Sequence, residues 1–198
     1  DNSSCSGCTD FNADNYDEDA LFDNNSCLYS FNTFYVPEDY PSIQNAINYA
    51  HDGDTIEVAP GTYYENIDFL SKSIVVRSQY IDGIPIDQFI IMASDSASVV
   101  TIKDIEGDGG ALMGFTISGG YGEGVSFQDF ISMAADEILF DSLITNVIRG
   151  GGISVINSSP LLKDLYITNN SARNVGAGIG LVNSNAIVQS AIIANNSI

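Results

Sequence analysis

The strongest constraint on this chain is that it says nearly the same thing twice. "GISVINSSPLLKDLYITNNSA", residues 152–172, and "GIGLVNSNAIVQSAIIANNSI", residues 178–198, align without a gap at an offset of 26 residues. The two share the opening Gly-Ile, the central Asn-Ser and the closing Asn-Asn-Ser, with apolar facing apolar between them. A unit of this length cannot bury its apolar positions alone, so copies must stack. Four versions of one phrase, "GFTISGG", "SLITNV", "LYITNN" and "AIIANN", align on Ile117, Ile144, Ile167 and Ile193 in steps of 27, 23 and 26 residues. That step is too short for a strand, helix and strand unit. The expected fold is all-β, a right-handed parallel β-helix in which each repeat is one rung. Ile153 and Val155 should stack on Ile179 and Leu181, and Ile167 on Ile193. Asn157 with Asn183, and Asn169 with Asn195, should form side-chain amide ladders at the turns. Gly151, Gly152, Gly176 and Gly178 should let the backbone corner tightly.

Charge narrows the function. Six basic against 26 acidic residues give a formal net charge of −20. Nucleic acid and anionic membrane surfaces are disfavoured, because phosphate binding relies on Lys and Arg. No apolar run approaches the ~18 residues of a membrane span, and membrane insertion is not expected. The opening "DNSSCSGC" fits a secreted protein after processing, and the chain is expected outside the cell or on its surface.

Residues 1–30 read as a separate module, with 31–198 as the β-helix. All three cysteines lie in the first 27 residues, and no Lys or Arg precedes Lys72. The cysteines suggest a local staple; a zinc site would need a fourth ligand, and the only histidine, His51, is distant and is expected to cap a helix. Pairing Cys8 with Cys27 would close a loop of about 20 residues, worth roughly 3 kcal/mol in the chain-entropy model, leaving Cys5 over. Between them Asp10, Asn12 and Asp14 alternate, followed by Asp17, Asp19 and Asp23, an oxygen-rich pattern suited to a hard cation. It is not an EF-hand: Asn15 stands where the glycine would be and Leu21 where the bidentate Glu would be. The plain alternative is a solvated acidic loop. From Gly7 to Cys27 the pattern "GCTD…A…NY…A…D…SC" resembles the short repeats of secreted bacterial proteins, akin to thrombospondin type 3 calcium repeats. The resemblance implies a calcium-bound, disulfide-closed module.

Further on, Ile43, Ala46, Ile47 and Ala50 share one helical face, with Pro41 for the first turn and Gly53 for the stop, which predicts a helix over about 41–51. "DTIEVAPGTY" and "KSIVVRS" then read as strands. The stretch "IQNAINYAHDGDTIEVAPGTYYENI" resembles the beginning of pectin-methylesterase-like right-handed parallel β-helix proteins, in which such a helix caps the open N-terminal end. Residues 98–198 resemble the repeats of secreted and surface-anchored bacterial β-helix proteins, a likeness that speaks to fold more than activity.

Chemistry is sparse. A pectin-methylesterase-like site needs two carboxylates with a supporting Arg and Gln. Only "GVSFQDFISMAADEILFD" offers fragments of one: Gln128, Asp129 and Asp136 near Glu137 and Asp141, on a stretch that interrupts the repeats like an inserted loop. A lyase needs a basic catalyst, and Lys103, Arg149, Lys163 and Arg173 form no cluster with acids. A β-helix glycosidase motif requires a histidine that this chain lacks on its repeats. Exposed aromatics can stack on sugars; Tyr121, Phe127 and Phe130 are the candidates, with Tyr64 and Tyr80 behind them, whereas Tyr63 and Phe115 read as core filling. The expected role is therefore an adhesive or structural extracellular module that binds polysaccharide or associates with itself through the open end of the solenoid. A carbohydrate-active enzyme acting on acidic polysaccharide through Asp129 and Asp136 is the alternative. An end at "IANNSI" without a polar cap predicts either further rungs or a covering copy. The Asn-x-Ser sequons at Asn2, Asn24, Asn157, Asn169 and Asn195 matter only in a glycosylating host.

Overall fold

The computed structural model describes residues 6–11, 13–79, 83–107, 109–122, 150–173 and 176–198. They form two compact units, Asp1–Asn32 and Thr33–Ile198. The protein is predominantly β, and every strand pairing among the described residues is parallel. No helix is long and apolar enough to cross a membrane among the described residues.

The first unit holds two short strands, β1 (Ser6–Gly7) and β2 (Phe22–Asp23), paired in parallel. The Cys8–Cys27 disulfide closes its loop. So few aliphatic residues cannot build a core, and Phe11 and Phe22 stay 79% and 61% exposed. The covalent link stands where packing would otherwise be.

In the second unit, β3 (Thr33–Val36) leads into α1 (Ile43–Tyr49). The helix is shorter than the 41–51 expected because Ser42 caps it, accepting from the Asn45 amide at 3.2 Å, and Ala50 is already extended. Pro41 therefore precedes the cap. Ile43, Ala46, Ile47 and Ala50 are all buried, as their spacing predicts. There follow β4 (Thr55–Val58), β5 (Gly61–Tyr64), β6 (Ile67–Asp68), β7 (Val75–Ser78), β8 (Phe89–Met92) and β9 (Val100–Lys103). After them come β10 (Ala111–Met113), β11 (Thr116–Ser118), β12 (Tyr121–Gly122), β13 (Ile153–Ile156), β14 (Leu161–Lys163), β15 (Tyr166–Thr168) and β16 (Ser171–Ala172). The last three are β17 (Ile179–Val182), β18 (Ile187–Gln189) and β19 (Ile192–Ala194).

These strands fall into a six-stranded sheet (β18-β14-β10-β7-β4-β3), a five-stranded sheet (β19-β15-β11-β8-β5) and a four-stranded sheet (β17-β13-β9-β6), with β12 and β16 as a separate pair. From β4 to β9 the chain visits the three large sheets in strict rotation. Register then lines up like residues. One column runs Phe34, Ile56, Val76, Leu112, Leu162, Val188. A second runs Tyr63, Ile91, Ile117, Ile167, Ile193, and a third Ile67, Val100, Ile153, Ile179. Their middle members are fully buried, each worth about 1.5–3 kcal/mol as an upper bound. The last members are not: Val188 is 43% and Ile193 51% exposed.

The expected stacking of Ile153 and Val155 on Ile179 and Leu181, and of Ile167 on Ile193, is present. β11 pairs with β8 on one edge and β15 on the other, so Ile117 meets Ile167 directly. Ile144 lies outside the described residues.

Left-handed residues end each column's strands at equivalent places: Asp104, Asn157 and Asn183; Gly114, Asp164 and Ser190; Gly119, Asn169 and Asn195. Glycine, Asn and Asp tolerate this conformation best. Asn183 Nδ2 donates to Asn157 Oδ1 at 3.1 Å and Asn157 Nδ2 to Asp104 Oδ1 at 2.7 Å, so the expected ladder exists and extends one strand further. At the other turn the ladder is shifted by one residue. Asn169 and Asn195 supply the left-handed backbone, and the buried Asn170 donates through Nδ2 to Asn196 Oδ1 at 3.0 Å. Gly151 and Gly178 also act differently from expectation. They do not carry a positive φ; they are small because a Cβ on Gly151 would strike the Ser171 and Ala177 carbonyl oxygens, and one on Gly178 would sit 2.6 Å from Ile193 Cγ2.

Candidate functional site

The acidic loop of the first unit was the sharpest sequence candidate. Its carboxylates do not converge. Asp10 Oδ2 accepts from the Tyr29 hydroxyl and Asp14 Oδ2 from the Ser30 hydroxyl, both at 2.6 Å. Asp17 Oδ1 accepts the Asp19 amide at 3.1 Å, and Asp23 Oδ1 the Asn25 amide at 2.9 Å, both local turns. Asn12 lies outside the described residues. Among the described residues no group of three or more His, Cys, Asp or Glu side chains is placed to hold a metal. The hydrogen bond that Tyr29 donates to Asp10 raises its hydroxyl above its ordinary pKa.

The catalytic candidates Asp129 and Asp136, and the aromatic candidates Phe127, Phe130 and Tyr80, lie outside the described residues. Tyr121 begins β12 and is 37% exposed, paired in register with Ser171. Tyr64 on β5 is 65% exposed. Phe115 is fully buried, and Tyr63 is a core neighbour whose hydroxyl donates to the Ala59 carbonyl at 3.0 Å, as the core reading of both expects. Burial, then the nearby Glu65, raises the Tyr63 pKa.

Two surface hollows stand out among the described residues. One, about 290 Å³, is lined by Asp52, Ser71, Ser73, Asp104, Ile105 and Glu106. Its acids are partly engaged: Asp52 accepts the Ser73 amide, and Asp104 lies 3.6 Å from Lys103 Nζ and accepts from Asn157. The other, about 210 Å³, lies beside the Glu57–Arg77 ion pair and is lined by residues that include Tyr35, Pro37, Glu38 and Gln79. Lys163 Nζ is 3.9 Å from Asp164 on an open face.

The most specific polar constellation holds α1 in place, and the helix pattern alone did not reveal it. Glu65 takes the Ile43 amide on Oε1 at 3.0 Å and the Gln44 amide on Oε2 at 2.9 Å, satisfying two orphan donors of the first turn. Lys72 Nζ donates to the carbonyls of Ile47 at 2.7 Å and Asn48 at 3.0 Å. It is this lysine, not His51, that serves the helix C-terminus; His51 donates its amide to Asp54 Oδ2 at 2.7 Å. Burial lowers the Lys72 pKa against the opposing pull of Asp52 and Asp54. The Gln44 amide accepts from the Asp68 N–H at 2.7 Å and donates to the Asp68 carbonyl at 3.1 Å, imitating a strand on the edge of β6. Asn66 gathers Ser94, Asp95 and Ser98 into one turn. The Gln of "IQ" and the Glu of "ENI" thus fasten α1, while the Asn of "ENI" ties a turn, and the only sequence signal for them was that motif itself.

Comparison of the chain with protein-family models, with curated proteins and with solved structures finds no match.

Proposed function

We propose that Thr33–Ile198 is a right-handed parallel β-helix capped by α1, and that it serves as a non-catalytic adhesive or structural module outside the cell or on its surface. The strict rotation through three parallel sheets supports the fold, and parallel connections are right-handed almost without exception. One observation carries the functional reading. The inward positions are consumed by aliphatic columns, while the outward positions of the six-stranded sheet form an unbroken file: Tyr35, Glu57, Arg77, Met113, Lys163, Gln189. At about 4.8 Å between strands such a file is roughly 24 Å long, a dimension suited to an extended polymer more than to a small molecule. A neutral polysaccharide is the ligand class that fits best, because a chain of charge −20 repels acidic ones.

The test is binding of the intact chain to immobilised neutral and acidic polysaccharides, alongside an assay for soluble products. Retention on neutral glycans without product release, weakened by Tyr121→Ala or Tyr35→Ala, is the expected result. Release of products that disappears with Asp129→Asn or Asp136→Asn would instead establish the carbohydrate-active enzyme.

A further inference from the structure

The first unit was expected to cradle calcium, and its carboxylates are engaged elsewhere. The engagements form a pattern. Two stretches, 10–15 and 26–30, are laced across the disulfide that joins Cys8 to Cys27. Asp10 holds the Tyr29 hydroxyl and Asp14 the Ser30 hydroxyl. The Asp14 amide donates to the Leu28 carbonyl at 2.8 Å. Asn15 closes the gap between them, its Oδ1 accepting the Leu28 amide and its Nδ2 donating to the Ser26 carbonyl, each at 2.7 Å. Asn15 stands where an EF-hand would need glycine, and here its side chain does the work of a short strand. The bonds to Asp10 and Asp14 have an ionised acceptor, which makes them the stronger kind.

We infer that this unit is a hydrogen-bonded clamp, in which Asp10, Asp14 and Asn15 hold the segment 26–30, and that the clamp and the disulfide fold it without a cation. The acidic residues on this reading are acceptors for internal donors. Tyr29 and Ser30 take up the Oδ2 oxygens of Asp10 and Asp14, so an ion drawing on those same oxygens would compete with the lacing.

That competition makes the inference testable on the full chain. Limited chymotrypsin digestion at the exposed Phe11 and Phe22 reports the unit's opening in wild type, in the double variant Tyr29→Phe, Ser30→Ala, and in Asp19→Asn, whose carboxylate is outside the lace. The expected result is that millimolar calcium and a chelator give wild-type cleavage rates within about twofold of each other. The double variant should be cut roughly fivefold faster or more, and Asp19→Asn at the wild-type rate. Protection of wild type by calcium of tenfold or more would overturn the clamp. A double variant cut no faster than wild type would do the same.

Discussion

The two units solve the same problem with opposite means. The first has almost no aliphatic side chains to bury and relies on one disulfide plus polar lacing, so its aromatics remain on the surface. The second buries file upon file of Ile, Val and Leu, and most of its polar fastenings among the described residues lie where strands end: at turns, at sheet edges and at the helix termini. The contrast teaches that polar residues hold a structure in two distinguishable ways. In the first unit they replace a core, whereas in the second they trim one. Substitutions that damage one unit should therefore leave the other standing.

The largest effect should come from a cavity in a buried file. Ile117→Ala sits between Ile91 and Ile167 with no exposed surface and should cost about 2–5 kcal/mol of second-unit stability. Denaturant unfolding followed by a probe in Thr33–Ile198 would measure it, and chymotrypsin resistance of the first unit should be unchanged. The mirror experiment is Cys27→Ser. Opening a loop with a sequence separation of 19 should remove roughly 3 kcal/mol from the first unit while the midpoint of the second stays put. If either change propagated fully into the other unit, the division of labour drawn here would fail.

The two asparagine ladders sharpen the comparison within the second unit. Asn170 is buried, and its amide serves the Gly120 N–H, the carbonyls of Ile117 and Thr168, and Asn196. Asn157 is exposed and bonds Asp104 and Asn183 in water. Asn170→Ala orphans several buried groups and should cost about 2–4 kcal/mol, whereas Asn157→Ala should cost no more than about 1 kcal/mol. Equal losses from the two in chemical denaturation would mean that burial is not what sets the ladder's value.

The same contrast explains what could be read in advance. Aliphatic periodicity is a property of the sequence itself, so the partners of Ile153, Val155 and Ile167 were legible as pairs, and so was the buried face of α1. Polar fastening depends on which distant residues meet. Glu65 reaches back to Ile43 and Lys72 to Ile47 across more than 20 residues, and no local pattern announces such a bond. The one-residue shift from Asn169 to Asn170 arises because adjacent asparagines divide the work: one adopts the left-handed turn and the other turns inward. The acidic alternation of the first unit was visible, but alternation specifies only a supply of acceptors. The hydroxyls of Tyr29 and Ser30 that take up two of them come from 19 and 16 residues away, beyond any local pattern.

The smallest expected effect concerns the one buried side-chain polar atom without a hydrogen-bond partner among the described residues, Ser154 Oγ. Ser154 lies on β13 between Thr101 on β9 and Gly180 on β17, and is 1% exposed. Beside this file the glycine turn lies close, since a Cβ on Gly150 would collide with the Gly180 amide nitrogen. Ser154→Ala keeps the size, removes the unsatisfied oxygen, and should leave the denaturation midpoint unchanged or raise stability by up to about 1 kcal/mol. A loss above about 1 kcal/mol would show that the hydroxyl has a partner in the folded protein. The second unit would then share the first unit's habit of holding strands with side-chain oxygens, and the contrast between the two would narrow at that point.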